Sequence, residues 1–452
     1  MHNSSSHLLP TSVAWTKSSS SARRGLHDVH QPEEDRLSML MDDILLSILG
    51  RLDLRTAARM SALSARWRHL PWLLPEINID VQDFLPIPRP KPIEAMYMDK
   101  AMASVIKATR AFLVNRHGES IISTLHLKIY PIDASLCEVG PLLSDAIESG
   151  FVKDLDLAVL YKRNIWFCSE EGMLNRGQPM DGFFSAYSNV LHCLTRLSLY
   201  TVRFEKLDMH HLLFDCCKQL KHLGLYHCDI TAHSLSKIDA PNSKLLVLKL
   251  AYCRFEILEL VCLPKLEKLK CNTWVTRHAP LAFGYVPSLG ELELSHGLMH
   301  GENEFKLSEL LHGSTCIHTL TLGFKGETNE LVTQTQVWEH ICDLDDKTRQ
   351  LYAERRRPLW ELHSDGLKNR FLKELQFTGF RSLEHQFTFI SAMLERAPNL
   401  QLVVLKGDER CHHCDALDTP QRTSKFPKKD EQEMVVRRIQ DGKFSPQIVF
   451  DE

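Results

Sequence analysis

The 452-residue chain has no run of 18 apolar residues, so no segment reads as a membrane-spanning helix. Its N-terminus lacks the short apolar core of a secretory signal. Charge of one sign is also missing. The 54 Lys and Arg against 57 Asp and Glu leave a net charge of −3, so no global basic field directs the chain to nucleic acid or to an anionic membrane. The motifs G-x-S-x-G, H-E-x-x-H, G-x-x-x-x-G-K-[ST] and G-x-G-x-x-G are all absent, which removes the common hydrolase, zinc-protease and nucleotide-binding signatures. Thirteen scattered cysteines, an odd number, do not form a secreted disulfide framework. They read as small core residues of a reduced, soluble, intracellular protein.

What is present in excess is leucine. The sequence holds 69, about 15% of the chain. Hydrophobic residues are 44% and charged residues 25%, ordinary globular values that exclude a wholly disordered chain, a collagen-like chain and a coiled-coil rod.

Residues 1–34 read as a disordered tail, with Ser4 to Ser6, Ser18 to Ser21 and no apolar period. A helical texture begins at Asp35. Ile44, Leu45, Ile48, Leu49 and Leu52 recur at helical spacing, with Asp42 placed to cap the first helix. Asp53 is placed to cap a second short helix to about Ser61, and a third runs from about Ser64 to Leu70, stopped by Pro71. Three short helices in forty residues bury little area alone and leave apolar surface for a partner. Pro86, Pro88, Pro90 and Pro92 follow, and residues 76–119 read as a linker and a helix over 94–117.

From residue 120 a repeat takes over, apolar-x-x-apolar-x-apolar. It reads ISTLHL at 122, VKDLDL at 152, LTRLSL at 194, LKHLGLYHC at 220, LLVLKLAYC at 245, LEKLKC at 266 and LGELEL at 289. Weaker copies are IHTLTL at 317, LKELQF at 372 and LQLVVL at 400. Central steps of 21 to 28 residues match a leucine-rich repeat, in which each copy gives one strand and stacked neighbours bury a continuous core. Cys228 and Cys253 fall where a small side chain turns inward after the strand. The array is expected over 120–406, broken by a charged insertion near 326–370 that includes Arg355 to Arg357, and followed by a C-terminal tail over 407–452.

Residues 36–75 resemble an F-box. The likeness is carried by Leu37-Ser38-x-Leu40, Asp42-Asp43-Ile44-Leu45, Ile48-Leu49-x-Arg51-Leu52 and Leu63-Ser64-x-Arg66-Trp67-Arg68-His69-Leu70. Met41 stands where the family commonly has Pro, as does Asp53. With the array behind it, the chain resembles a plant-type F-box/LRR-repeat protein, and the expected fold class is α/β repeat: a three-helix F-box followed by a leucine-rich-repeat solenoid. The resemblance implies a non-catalytic receptor subunit of an SCF-type ubiquitin ligase. The F-box would bind a Skp-type adaptor, and through it a cullin–RING ligase, with Leu37, Leu40, Ile44, Leu45, Ile48, Leu49, Leu52, Leu63 and Trp67 at the contact. The array would hold an unknown protein substrate. No nucleic acid, membrane, metal or cofactor is expected, and the location implied is nucleus, cytoplasm or both. A second reading is an LRR interaction scaffold outside ubiquitin transfer.

Two other motifs are weaker. Arg51, Arg55, Arg59, Arg66 and Arg68 would suit a helix-turn-helix, but the third helix has no base-reading Asn or Gln and is crowded by Trp67. Cys411-His412-His413-Cys414 has zinc-type donors but no second ligand pair nearby.

Strand alternation locates the substrate face. With Leu197 and Leu199 inward, Arg196, Ser198 and Tyr200 point outward. The same count gives His222, Gly224 and Tyr226, then Val247, Lys249 and Ala251, then Lys268, Lys270 and Asn272, then Glu291, Glu293 and Ser295. Tyr200, Tyr226, Lys249, Lys270 and Glu293 are the candidate substrate contacts, with Lys270 and Glu293 also able to pair across neighbouring strands.

Overall fold

The computed structural model describes residues 39–52, 54–60, 67–87, 93–114, 121–161, 170–204, 208–229, 236–251, 253, 255, 257–272, 281–296, 316–324, 369–407, 426–440 and 446–451. Leu37, Asp53, Leu63, most of the 326–370 insertion and the Cys411–Cys414 cluster lie outside the described residues.

The chain is α/β, built on one large parallel sheet. Its strands are β1 (Glu76–Asp80), β2 (Ile122–Ile129), β3 (Val152–Val159), β4 (Leu194–Tyr200), β5 (His222–Tyr226), β6 (Lys237–Asp239), β7 (Val247–Ala251), β8 (Leu258–Cys262), β9 (Lys268–Asn272), β10 (Leu281–Tyr285), β11 (Glu291–His296), β12 (Thr319–Phe324), β13 (Glu374–Thr378), β14 (Leu402–Lys406) and β15 (Gln447–Asp451). Twelve of them pair in the order β1-β2-β3-β4-β5-β7-β9-β11-β12-β13-β14-β15, and β10-β8-β6 form a second parallel sheet of three. All ten repeat copies read from the sequence supply a strand of the large sheet, each beside its neighbour in the chain. That order is compatible with a repeat solenoid.

The leucine pattern explains the arrangement. In β4, Leu194, Leu197 and Leu199 have no exposed surface, and the register lays Leu197 against Leu223, Leu248, Leu269 and Leu292 in successive strands. Each buried leucine contributes about 1.5–3 kcal/mol relative to exposure, so a row of them outweighs strand propensity. Parallel strands need crossovers of a dozen or so residues. Here they are helices: α3 (Ala95–Val114) between β1 and β2, α4 (Asp133–Glu148) between β2 and β3, and α5 (Glu170–Ala186) with α6 (Ser188–Cys193) between β3 and β4. Past β5 the steps shorten, and β6, β8 and β10 replace helices as crossover elements.

The sheet runs further than the leucine period suggests. Glu76-Ile-Asn-Ile-Asp, expected within the linker, is β1, with Ile77 and Ile79 buried. The C-terminal stretch, expected as a tail, folds back: a helix at Lys429–Ile439 leads to β15, which pairs with β14. The 94–117 helix is observed as α3.

At the N-terminus, α1 (Asp42–Leu49) and α2 (Leu54–Met60) precede a turn at Trp67–His69 and a 3-10 turn at Leu70–Leu73. Asp42 is not a side-chain cap. Met41 holds the N-cap position, and Asp42 and Asp43 form an acidic first turn. Pro71 opens the 3-10 turn and does not end a helix. Leu45, Leu49, Ala57, Trp67, Leu70 and Leu74 make a small core of their own, while Leu54 joins the main one.

Candidate interaction surfaces

Two surfaces carry the residues expected to bind partners. The first is the outer side of α1. Helical spacing gives this short helix two apolar stripes. Leu45 and Leu49 have no exposed surface, and Trp67 is buried beside them, so these three expected contact residues support the surface from behind. Leu40 packs on the edge of that small core. The stripe left in solvent is Met41, Ile44 and Leu52, 64%, 38% and 37% exposed, flanked by Met39 at 72% and the half-buried Ile48. Met39 was missed in the sequence, and Met41 was noted there only as a departure from the family pattern. Side chains this apolar are normally covered when they cluster.

The second surface is the open face of the large sheet. The alternation counted from the sequence holds in β4, β5, β7, β9 and β11 except that Gly224 and Ser295, expected outward, are buried: the inward leucines and Cys271 are buried, and Arg196, Tyr200, Tyr226, Lys249, Lys270 and Glu293 lie on the other side, half-buried or exposed. Tyr200 and Tyr226 are register partners whose rings stack with centroids 4.4 Å apart and planes 9° apart. Burial followed by the neighbouring tyrosine pushes the Tyr200 phenol well up. Lys270 and Glu293 pair with each other, and Lys268 reaches Glu291 at 2.7 Å. Both pairs join β9 to β11, so two of the five candidate substrate contacts already satisfy one another.

Carrying the same alternation into β1, β2 and β3 exposes a polar group that the sequence reading left out. Asp80 accepts from Lys128 at 2.7 Å. Asp156 lies 2.8 Å from His126 Nδ1 and 3.0 Å from Arg196 Nη1. Burial pushes the Asp156 carboxyl up, but the His126 hydrogen bond and the Arg196 charge outweigh it and hold it below the ordinary carboxylate value. A cleft of about 340 Å3 opens beside this group, walled by Leu49, Leu54 and Leu74 on one side and by Asn78, His126 and Asp156 on the other. The repeat copies at 122 and 152 contain His126 and Asp156, and counting outward positions there would have found these two.

The cysteines behave as core residues. Cys228 Sγ donates to Leu199 O at 3.4 Å and Cys253 Sγ to Leu225 O at 3.2 Å, each reaching back to the preceding strand. Burial pushes the Cys228 thiol up to about 11 and Cys271 to about 12, and raises Cys253 well above the ordinary thiol value. Such thiols are poor nucleophiles. Among the described residues no cluster of three His, Cys, Asp or Glu side chains is placed to hold a metal ion, and no helix is long and apolar enough to cross a membrane.

A short helical unit with an apolar outer stripe precedes a parallel array with an open polar face. The chain is 28% identical over 113 residues to an F-box/FBD/LRR-repeat protein of Arabidopsis thaliana, covering 25% of this chain and 22% of that protein. It is 31% identical over 132 residues to an F-box/LRR-repeat protein of the same plant, covering 28% of this chain and 27% of the relative. These relatives support the plant F-box/LRR-repeat family for this chain. The match spans about a quarter of the length of either relative. No protein-family model matches the chain.

Proposed function

We propose that this protein is the substrate-recognition subunit of an SCF-type ubiquitin ligase. In this reading residues 35–75 form an F-box that binds a Skp-type adaptor and, through it, a cullin–RING ligase. The leucine-rich array over 120–406 holds the target protein, and the chain itself performs no chemistry. The observation that carries the reading is the exposed stripe of Met41, Ile44 and Leu52 over a filled core. The helical unit does not need these side chains for its own packing, so their apolar character calls for a partner. The F-box names of the two relatives support a Skp-type adaptor as that partner. Leu40, Leu45, Leu49 and Trp67 then set the shape of the adaptor face, and Ile44, Ile48 and Leu52 touch the adaptor. Leu37 and Leu63 keep their place at that face on the F-box pattern alone.

The array's role follows from the open face, where polar side chains and a tyrosine pair lie over a rigid sheet. Rigid aromatic side chains give contact area at low entropic cost. The reading places the protein in the nucleus, the cytoplasm or both, where such ligases act. The test is to express the tagged full chain in plant cells and recover it under ligase inhibition. Recovery of a Skp-type adaptor with a cullin is expected. Recovery without either leaves the scaffold reading in place and overturns the ligase role.

A further inference from the structure

The charges on the open face are not evenly satisfied. Toward the N-terminal end Lys128 is held by Asp80, and toward the C-terminal end Lys268 is held by Glu291, Lys270 by Glu293 and Lys406 by Asp451. Between them, on β4, β5 and β7, cations are in surplus. Lys249 is exposed and makes no ion pair among the described residues. Arg196 must share the single carboxylate of Asp156 with His126. His222 lies between Arg196 and Val247 in the register, and burial together with the charges of Arg196 and Lys249 lowers its pKa. It therefore stays neutral and adds no repulsion at neutral pH.

The same strands carry the aromatic pair. Gly224 sits between Ser198 and Lys249 in the middle row. A Cβ at Gly224 would fall 2.8 Å from the Tyr226 ring and 3.3 Å from Ser198 Oγ. The ring therefore occupies space that only a glycine leaves free. On its other flank Tyr226 faces Ala251, whose methyl group is too short to cover the second face of the ring. The stacked pair thus shares β4 and β5 with Arg196, whose one carboxylate is shared, and lies one strand from Lys249, an ammonium without an ion pair among the described residues.

We propose that this patch, centred on Tyr226, Lys249 and Arg196, is the substrate-reading subsite, and that it takes an acidic segment of the target protein. An aspartate or glutamate of that segment pairs with Lys249 and the free side of Arg196, and an adjacent planar side chain extends the tyrosine stack over Ala251. A carboxylate suits the site better than a phosphate. Phosphate recognition draws on clustered guanidinium groups free to bind it in a bidentate manner. Here the one arginine is tied to Asp156, and Glu293 stands two strands from Lys249 in the register, so a dianion meets like charge.

This inference rests on the proposed receptor role, and its test separates the two. The full chain is applied to an array of short synthetic peptides, each containing one aromatic residue and printed in matched acidic, amide and phosphoserine versions. Retention of acidic versions over their amide counterparts is expected. Lys249→Glu and Tyr226→Ala should each reduce that retention about tenfold or more, an effect of about 1.4 kcal/mol. Gly224→Ala, which keeps every functional group but displaces the ring, should reduce it as well. Adaptor capture by each variant is measured alongside and should be unchanged. Retention that is indifferent to acid, confined to phosphoserine, absent altogether, or unaffected by these variants overturns the subsite while adaptor capture leaves the ligase role standing. Acid-dependent retention by a chain that captures no adaptor does the reverse.

Discussion

Two glycines in the same helix should respond to alanine in opposite directions. Gly177 and Gly182 both lie in α5. By helix propensity alone, alanine at either position stabilises by about 1 kcal/mol. Around Gly182 nothing lies within 4 Å of the added Cβ, so Gly182→Ala should realise that gain. At Gly177 the Cβ would stand 1.9 Å from Arg203 O and 2.9 Å from Arg203 C. This neighbour is backbone and cannot rotate away. It is also held in place: Arg203 N–H donates to Met173 O at 3.2 Å, and its side chain pairs with the buried Asp229 at 3.3 Å. Relief needs the segment after β4 to move off the helix by about 1 Å, and overpacking of this kind costs about 1–3 kcal/mol or more. A backbone atom at 1.9 Å puts this clash at the upper end of that range, so it outweighs propensity and Gly177→Ala should destabilise by about 2 kcal/mol net. Urea unfolding followed by far-ultraviolet circular dichroism reads both variants against the parent, with similar denaturant slopes required for the comparison. Equal or raised stability of Gly177→Ala would show that α5 does not press on the Arg203 backbone, and the crossover packing would have to be redrawn.

Three further outcomes follow from the same structure. In the native protein a water-soluble maleimide should modify the exposed Cys137 and Cys316, while Cys228, Cys253 and Cys271 react only after denaturation, as mass mapping would show; native labelling of Cys253 contradicts the buried ladder. Asp156 has a depressed folded pKa, so its contribution to stability is present above the ordinary carboxylate value near 3.8 and is lost as pH falls through the lower folded value. Asp156→Asn should accordingly flatten the acid limb of a stability-versus-pH curve below about pH 4, and an unchanged limb would deny the His126–Asp156–Arg196 linkage. Exchanging Lys270 and Glu293 for one another should leave stability within about 1 kcal/mol of the parent, because the half-buried pair survives the swap, whereas Lys270→Glu alone should cost more.

The array was legible because its signal is repeated. Leu197, Leu223, Leu248, Leu269 and Leu292 hold equivalent positions in five copies, and an error in one is corrected by the rest. The ends of the sheet carry no such redundancy. The alternation of Ile77 and Ile79 is clean, but it stands alone before a proline run. Ile448 and Phe450 sit in a five-residue strand that follows a long stretch without the motif. The crossover strands β6, β8 and β10 are no longer than these, and carry no copy of the repeat.

The interaction surfaces were legible to a different depth. Outward residues follow from parity, so Tyr200, Tyr226 and Lys249 could be named. Whether a cation is free depends on which carboxylate the register brings opposite, and the register is set by loops of unequal length. In α1 the spacing of Ile44, Leu45, Ile48 and Leu49 shows apolar residues on two stripes. Only the position of Trp67, brought back by the following turns, decides which stripe is core.

The account's central claim is that the stripe outside this small core is an adaptor face. Isothermal titration of the purified full chain with a purified plant Skp-type adaptor tests it most directly, comparing the parent with Ile44→Asp and with the Met41→Asp/Ile44→Asp double variant. Met41 and Ile44 together expose about one whole side chain, so removing their burial and adding buried charge should cost at least about 2–3 kcal/mol of binding. The account predicts stoichiometric binding by the parent and a loss of affinity of about thirtyfold or more in the double variant, with unfolding midpoints unchanged. No binding by the parent, or equal affinity for the parent and a folded double variant, would contradict it.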